Sequence, residues 1–299
     1  MKISSENYVY SMSAHNKAAA SCKPGETVIF ETQDCFSNQI QSEEVLFEST
    51  DWDTINPATG PLKVEGAEIG DTLKVEIKKI ELNNQGVMVT TPEESYLEGF
   101  ITKSKTKILP IKNNKVIFND KINFDLKPMI GVIGTSPGED EKAVSCGTPA
   151  SHGGNMDTKV IMAGTTLYLP IKVPGAMLAM GDLHAAMGDG EVGVTGVEVA
   201  GEVTVKVDLV KNKDLSDPLL ETESAFYTIA SGTDVDAAVK KASNNMFRFL
   251  KERLDLHNNE ISMLMSIICD LQISQVVDPQ KTARMRVDKK VLKEYDLKY

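Results

Sequence analysis

The sequence predicts a mainly β fold, a β-sandwich of the jelly-roll type with a short C-terminal helical segment, and therefore an α+β chain overall. Three observations support this prediction. Short stretches in which apolar and polar residues alternate recur along most of the 299 residues, glycine and proline separate them, and near the C-terminus the apolar period changes from two to three or four. We expect a β-rich body over 1–225 and a helical segment over 226–299 that packs on it as one structural unit.

The strands are predicted by a repeated opening in which a glycine and a small polar residue precede the alternation. After Gly70, the residues Leu73, Val75 and Ile77 alternate with charged residues, which places the apolar set on one face of a half-buried strand. The same pattern predicts a strand over Thr27–Thr32 and another after Gly201. Its recurrence is compatible with an internal duplication.

The helical segment is predicted to begin after Asp234, where apolar residues recur at spacings of three and four. Thr233 or Asp234 is the expected N-cap. A second helix is predicted to begin near Asn258. Its apolar face would be formed by Leu264, Ile267, Ile268 and Leu271. Pro279 cannot continue a helix, and Arg284–Val287 is predicted to return as a strand.

Charge and cysteine content restrict the class of protein. The net charge of −11 disfavours nucleic acid and anionic membrane as partners, and it is compatible with neutral substrates and bound cations. The four cysteines form no C-x-x-C pair, so neither a thiolate zinc site nor a disulfide framework is indicated. No signal-like N-terminus or run of about 18 apolar residues is found, so we expect a cytoplasmic protein.

The segment from 176 to 193 carries the strongest functional signal. An apolar run over Ala176–Met180 is predicted to open into a glycine-rich loop. That loop carries Asp182, His184, Asp189 and Glu191. Carboxylates and an imidazole this close together suit a divalent metal or acid/base catalysis, because functional groups are often placed on loops of a rigid scaffold. The alternative is a solvated acidic turn.

A second glycine-rich segment supplies further candidates. His152, Asn155 and Asp157 surround the pair Gly153–Gly154, which allows a close approach of the backbone to a ligand. Two of the four histidines in the chain thus fall in two polar, glycine-rich segments. Additional candidates are His15 and Asp34, the latter at the end of the strand predicted over 27–32.

Several motifs resemble the acetamidase/formamidase family. They lie at Asn56–Glu68, Gly153–Lys159, Ala163–Pro170, Gly181–Glu191 and Ile273–Asp278, and the resemblance runs from about His15 to Asp278. A departure is Met187, where many members have glutamine. The resemblance implies a β-rich catalytic body that hydrolyses a small neutral amide such as formamide or acetamide. It also implies a metal site, with Zn²⁺ the expected ion, and a homodimer or higher homo-oligomer.

Amide hydrolysis needs an activated water, a stabilised oxyanion and a proton donor for the leaving nitrogen. We hypothesise that Asp34, Asp157 and His184 bind the metal and that Asp182 orients the imidazole or replaces a ligand. Glu191 is the expected general base, with His152 as a second catalytic group. The expected substrate-binding residues are Asn155, His15 and Asp189. The preferred amide stays open among formamide, acetamide and a small lactam.

Two other interpretations of the same residues remain open. Asp182, Asp189 and Glu191 offer the oxygen ligands that Ca²⁺ prefers, so the chain could be a calcium-binding β-sandwich module without catalysis. A structural Ca²⁺ could also accompany a catalytic Zn²⁺. Alternatively, Cys146 could be a nucleophile activated by His152, as in Cys-dependent amidases.

Overall fold

The computed structural model describes residues 1–295, apart from the side chain of Trp52, so the last four residues of the predicted C-terminal segment lie outside it. The described residues contain twenty-two strands, two α-helices and three short 3₁₀ helices. The strands are β1 Lys2–Ile3, β2 Tyr8–Val9, β3 Ser11–Met12, β4 Ala20–Cys22, β5 Thr27–Thr32, β6 Ala58–Val64, β7 Thr72–Leu82, β8 Gln85–Thr90, β9 Lys105–Lys112, β10 Lys115–Ile117, β11 Asn123–Asp125, β12 Met129–Gly134, β13 Val144–Ser145, β14 Gly153–Asn155, β15 Thr166–Pro170, β16 Leu178–His184, β17 Glu198–Val199, β18 Gly201–Val210, β19 Leu219–Glu221, β20 Ala225–Gly232, β21 Cys269–Gln275 and β22 Lys281–Asp288. The helices are α1 Val235–Lys251 and α2 Asn258–Ile268, and the 3₁₀ helices span Phe47–Ser49, Trp52–Thr54 and Lys289–Leu292.

Two large sheets organise the described chain, which confirms the mainly β prediction. The first has nine strands in the order β1-β5-β18-β7-β15-β19-β20-β22-β21. The second has eleven strands and follows the order β11-β10-β9-β8-β17-β16-β12-β14, with β6 pairing to β16, β2 and β4 beside this path. Strands β3 and β13 form a separate two-stranded sheet.

The alternation seen in the sequence places the core between the two large sheets. Leu73, Val75 and Ile77 on β7 are all buried, and Val75 pairs with Val207 on β18. The predicted strand over Thr27–Thr32 is confirmed as β5, which pairs antiparallel with β18. Apolar residues of both sheets share one cluster, as expected when two sheets bury their facing sides against each other.

Both predicted helices are confirmed. Asp234 caps α1 by accepting a hydrogen bond from the Ala237 backbone N–H at 2.8 Å. The assignment of Leu271 to the second helix was wrong. Residue Cys269 has extended backbone angles, so α2 ends at Ile268 and Leu271 lies in β21.

The helices cover the outer side of the nine-stranded sheet. A second apolar cluster joins Met246 and Leu250 of α1 and Ile261 of α2 to Phe226 on β20. The segment after 225 is more than helical, because β20, β22 and β21 complete the nine-stranded sheet. The predicted strand at Arg284–Val287 is part of β22. No helix in the described residues has both the length and the apolar character needed to cross a bilayer.

Candidate active site

Strand β16 carries the centre of the site. The sequence placed Asp182 and His184 on a loop, and this was wrong: β16 continues through His184, because His184 pairs with Met129 on β12 and with Glu198 on β17. The neighbouring position Gly131 must be glycine. A Cβ there would lie 2.3 Å from Asp182 Oδ2 and 2.4 Å from Asp157 Oδ1. The missing side chain lets two carboxylates converge against the strand.

Four segments of the chain bring acidic side chains to His184, and a fifth brings Asp278 to the same cavity. His184 Nε2 lies 3.1 Å from Glu198 Oε2, 3.3 Å from Asp182 Oδ1 and 3.6 Å from Asp157 Oδ1. Its Nδ1 lies 4.0 Å from Glu191 Oε1. Asp157 follows β14, Glu191 follows the Gly188–Gly190 turn, and Asp278, which also faces the cavity, follows β21.

Three of these acids have an unusual backbone conformation. The φ angles are +39° at Asp157, +54° at Asp182 and +49° at Glu191. Residues other than glycine rarely adopt the left-handed region, and such strain is concentrated at functional sites. The surrounding sheets therefore hold these carboxylates in conformations that the isolated chain would avoid.

The acids face a cavity of about 330 Å³. Its apolar wall is formed by Phe36, Phe47, Ile55, Val194 and Val277. The carboxylates that line it are Glu94, Asp157, Asp182, Glu191, Glu198 and Asp278. No lysine or arginine lines the cavity among the described residues. Among the described residues that line the cavity, His184 is thus the one basic side chain beside six carboxylates.

Burial and mutual repulsion change the proton affinity of the site. Burial raises the pKa of Glu198 to about 8. Burial also raises the pKa of Asp157 and Glu191 well above their ordinary values, and neighbouring carboxylates add to this effect. Burial opposes the charge on His184, but Glu198 and Asp182 raise its pKa well above the usual value. Without a bound metal cation, protons on these carboxylates and on His184 therefore compensate part of the negative charge of the site.

The donor set fits a divalent metal ion. Asp157 Oδ1, His184 Nδ1 and Glu198 Oε2 are buried without a hydrogen-bond partner. Asp157, His184 and Glu191 each offer a ligand atom within 4.8 Å of the others, and so do Cys35, Asp182 and Glu198. Buried charged groups are stable in proteins when they are paired or coordinate metals. Carboxylate and imidazole are ligands that Zn²⁺ accepts.

Comparison with known proteins identifies the family. A family model described as the Acetamidase/Formamidase family matches residues 14–144 and 134–292. The chain belongs to this family. The acetamidase of Bacillus halodurans is 47% identical, with a TM-score of 0.96 over 98% of this chain and 99% of that one. The formamidase of Methylophilus methylotrophus is 27% identical over 93% of this chain and 88% of its own length.

A Schizosaccharomyces pombe relative is 27% identical over 65% of this chain. The match spans 62% of that relative's length. Family membership and the acetamidase structure at a TM-score of 0.96 agree on the fold.

Within this family fold, the structure brings together five of the residues singled out in the sequence. Asp157, Asp182, His184, Glu191 and Asn155 all line the cavity. Asn155 Nδ2 donates a hydrogen bond to Asp278 Oδ2 at 3.0 Å, which leaves its Oδ1 buried without a partner. The side-chain oxygen of Asn155 is thus free to accept a hydrogen bond from a ligand.

Four other candidates are placed differently. His15 is exposed and does not line the cavity. Asp34 is buried beside the site, but its Oδ1 accepts hydrogen bonds from the backbone N–H groups of Phe36 and Asn38 and thereby stabilises a turn. Asp189 is bound by Arg284 and Lys159. None of these three is positioned as the sequence led us to expect.

His152, the fourth, is buried. Its Nε2 has no hydrogen-bond partner, and burial lowers the pKa of its imidazole to about 4. At neutral pH the ring is therefore uncharged. It is not among the described residues that line the cavity.

Three residues of the site escaped the sequence analysis. Glu198 lies between Val197 and Val199, and a carboxylate in such an apolar run is a signal of a buried charge that needs a partner. Asp278 ends a motif that carried the family resemblance. Cys35 was set aside because it has no nearby cysteine, yet it lines the cavity.

Cys146 does not support the Cys-nucleophile alternative. Its neighbours Ser145 and Gly147 line the cavity, but Cys146 does not, and its Sγ donates to the Val9 carbonyl at 3.4 Å. Burial raises the pKa of this thiol to about 12. The thiolate, which is the nucleophilic form, is therefore scarce at neutral pH.

Proposed function

We propose that this chain hydrolyses short-chain amides such as formamide or acetamide to carboxylate and ammonia, with a divalent metal ion in the cavity. The observation that carries the proposal is the buried group of carboxylates around His184, which no lysine or arginine of the described cavity lining neutralises. Relatives named formamidase and acetamidase support the choice of substrate.

The charge of the cavity favours a neutral substrate. Six lining carboxylates repel an anion, whereas a neutral amide enters without that cost. Hydrolysis turns the amide into a carboxylate, so the same field would help to expel the product. The apolar wall around Phe36 and Phe47 would contact the acyl group of the substrate.

Asp157 and His184 would hold Zn²⁺, and Asp182, whose Oδ1 lies 3.3 Å from His184 Nε2, would orient the imidazole or contribute a further ligand atom. Glu191 offers an oxygen within 4.8 Å of the ligand atoms of Asp157 and His184, so it would be close enough to act on a water bound there. When bound, Zn²⁺ lowers the pKa of water towards ~7 and polarises a carbonyl group. Asp34 is less suited to this role than the sequence indicated, because its carboxylate already accepts two backbone hydrogen bonds.

Glu191 is the group best placed to carry a proton. The Gly196 backbone N–H donates to Glu191 Oε1 at 2.7 Å and fixes the carboxylate. Burial and the nearby Asp157 raise the pKa of Glu191 well above its usual value, so the protonated form is stabilised. Glu191 would accept the proton of the attacking water and return it to the leaving nitrogen.

Asn155 would orient the amide. Since Asp278 holds its Nδ2, the unpartnered Oδ1 would accept a hydrogen bond from the N–H of the substrate. The catalytic role expected for His152 stays a prediction. The homo-oligomeric assembly and the cytoplasmic location also stay predictions.

A calcium-binding module without catalysis is less consistent with this site. Ca²⁺ prefers oxygen ligands, whereas His184 and Cys35 contribute nitrogen and sulfur. One of the three carboxylates that this alternative requires, Asp189, is already neutralised by Arg284.

The decisive experiment measures ammonia release from formamide and acetamide by the purified protein as isolated, after exhaustive chelation, and after Zn²⁺ is restored. We expect activity that disappears on chelation and returns with Zn²⁺. Activity that is indifferent to chelation would refute the role of the metal. Absence of hydrolysis in every state would refute the amidase proposal itself.

A further inference from the structure

We infer that the cavity binds two divalent cations, and that the second is held by the thiolate of Cys35 with the carboxylates of Asp182 and Glu198. This inference deepens the proposed function and rests on it only in taking the cavity to be a metal site. It gives a role to a cysteine that the arrangement of the sequence did not single out.

The geometry separates two sets of ligands. Cys35, Asp182 and Glu198 are each less than a tenth exposed, and their ligand atoms lie within 4.8 Å of one another. This set shares no residue with Asp157, His184 and Glu191. His184 connects them, because its Nε2 lies 3.1 Å from Glu198 Oε2 and 3.3 Å from Asp182 Oδ1.

An unpartnered atom points to a missing ligand in the second set. Glu198 is 2% exposed, and its Oε2 makes no hydrogen bond of acceptable geometry inside the protein, although His184 Nε2 lies 3.1 Å away. Leaving a buried charged oxygen unsatisfied costs free energy, and coordination of a cation removes that cost. The imidazole nitrogen near this oxygen provides at most one positive charge.

The charge balance distinguishes one cation from two. Six carboxylates line the cavity, and no lysine or arginine of the described residues faces them. One divalent ion would compensate two of these charges, and a second would compensate two more. Because the Cys35 thiolate adds a negative charge and a metal-bound His184 is neutral, three of seven negative charges then remain. Glu94 is exposed to solvent, and protons bound by the other acids would balance the rest.

The ligand chemistry selects the kind of cation. A thiolate with two carboxylates suits a borderline-soft ion such as Zn²⁺ or Co²⁺, whereas Ca²⁺ and Mg²⁺ favour oxygen ligands alone. Binding would displace the thiol proton of Cys35, because metal ligands must be deprotonated. Two-metal centres in which neighbouring ions share a cavity are common in hydrolytic enzymes.

The test is a titration of the metal-free full-length protein with Co²⁺, followed by absorption spectroscopy. A thiolate bound to Co²⁺ gives a charge-transfer band in the near ultraviolet, so the readout does not depend on activity. We expect two equivalents of Co²⁺ to bind and the band to appear. One equivalent, or no band, would overturn the inference.

Three variants locate the site. Cys35→Ser should abolish the band, and Glu198→Gln should lower binding from two equivalents to one. The matched control is Cys146→Ser, since that buried thiol lies outside the cavity lining, and this variant should keep both equivalents and the band. A band that survives in Cys35→Ser would show that another cysteine is the ligand. Circular dichroism verifies the fold, and Glu198→Gln tests the site if Cys35→Ser does not fold.

Ammonia release from formamide by the same preparations separates the two proposals. Hydrolysis with one equivalent of Co²⁺ and no band would exclude the second cation position and leave the amidase proposal intact. Two equivalents with the band and no hydrolysis of any amide would do the reverse.

Discussion

Two groups of acidic side chains lie close together in this molecule and differ in how their charge is neutralised. Asp189 accepts two hydrogen bonds from Arg284 Nη2 at 2.8 and 2.9 Å, and Lys159 Nζ lies 2.9 Å away. Glu191, two residues later, faces other carboxylates and no lysine or arginine of the described lining. Acids whose charge is balanced by the protein stabilise the fold, whereas acids left unbalanced mark the place for a ligand.

The first group also supports the second. Arg284 Nη1 donates to Ser274 Oγ at 3.0 Å, and this hydroxyl also accepts a hydrogen bond from Thr158 Oγ1 at 2.9 Å. The Ser274 carbonyl accepts the Gly190 N–H at 2.9 Å. Through Ser274, the buried guanidinium of Arg284 is therefore connected to Gly190, which precedes Glu191, and to Thr158, which follows Asp157. In this way the arginine that neutralises Asp189 also helps to position two carboxylates of the cavity.

The largest expected effect is on kcat, which should fall when Glu191 is changed and stay close to normal when Asp189 is changed. Glu191→Gln should lower kcat by roughly 10²–10⁴-fold, because a positioned general base contributes about that factor. Asp189→Asn keeps an acceptor for Arg284 and should retain most of the activity. Steady-state kinetics on formamide, with metal content measured for both variants, checks this. A near-normal rate in Glu191→Gln would show that another group moves the proton.

For the free energy of unfolding, in contrast to activity, we expect the larger loss when Asp189 is changed. Asp189→Ala leaves the Arg284 guanidinium, 1% exposed, without its carboxylate; because the Asp189 side chain is itself 34% exposed, water can replace part of the contact, and we expect a loss of about 1–3 kcal/mol of unfolding free energy. The matched control is Asp270→Ala, which removes one of the two carboxylate partners of Arg286, an arginine on the same strand as Arg284. Since the Asp270 side chain is 65% exposed, we expect about 0–1 kcal/mol there. Urea denaturation of both variants measures the difference, and equal losses would contradict the comparison.

The smallest expected effect is the pH dependence of the metal-free protein. Glu198 has a pKa of about 8 in the folded state, and burial also raises the pKa of Glu191, so the folded state holds protons that the unfolded chain has already released. The raised pKa of His184 acts in the same direction. Stability should therefore fall as the pH rises from about 7 to 8. In this window His152 is neutral in the folded state and mostly neutral in the unfolded chain, so its opposing contribution is small.

A loss of about 1 kcal/mol in the free energy of unfolding lowers Tm by roughly 2–4 °C in a domain of about 150–250 residues. Calorimetry of the metal-free protein at several pH values therefore resolves the effect. Saturating Zn²⁺ should reverse the trend, because binding then compensates the released protons. A metal-free protein whose Tm is constant over this window would contradict the view that the site acids hold protons.

Much of the fold could be predicted because local patterns determine it. The alternation at Leu73, Val75 and Ile77 fixed which face of β7 is buried, and Asp234 marked the start of α1. The end of α2 was missed because Leu271 continues the apolar period, although the chain there already pairs with β22. Propensity alone does not reveal such competition between a helix and a sheet edge.

The site was predictable only in part. Asp157, Asp182, His184 and Glu191 were identified because they cluster along the sequence. Spacing could not distinguish Asp189 from Glu191, since the difference comes from Arg284, which is 95 residues away. Distant residues such as Cys35 reach the cavity through sheet pairing, for which the sequence gives no local signal.

The left-handed backbone at Asp157, Asp182 and Glu191 has a consequence for protein design. The arrangement of the ligands is stored in main-chain torsions as much as in the side chains. Grafting the same residue types onto a regular β-scaffold would therefore aim the carboxylates in other directions. A successful transplant would have to carry the turns and the glycine gap at 131 with it, so the smallest portable unit of this centre is a set of backbone segments.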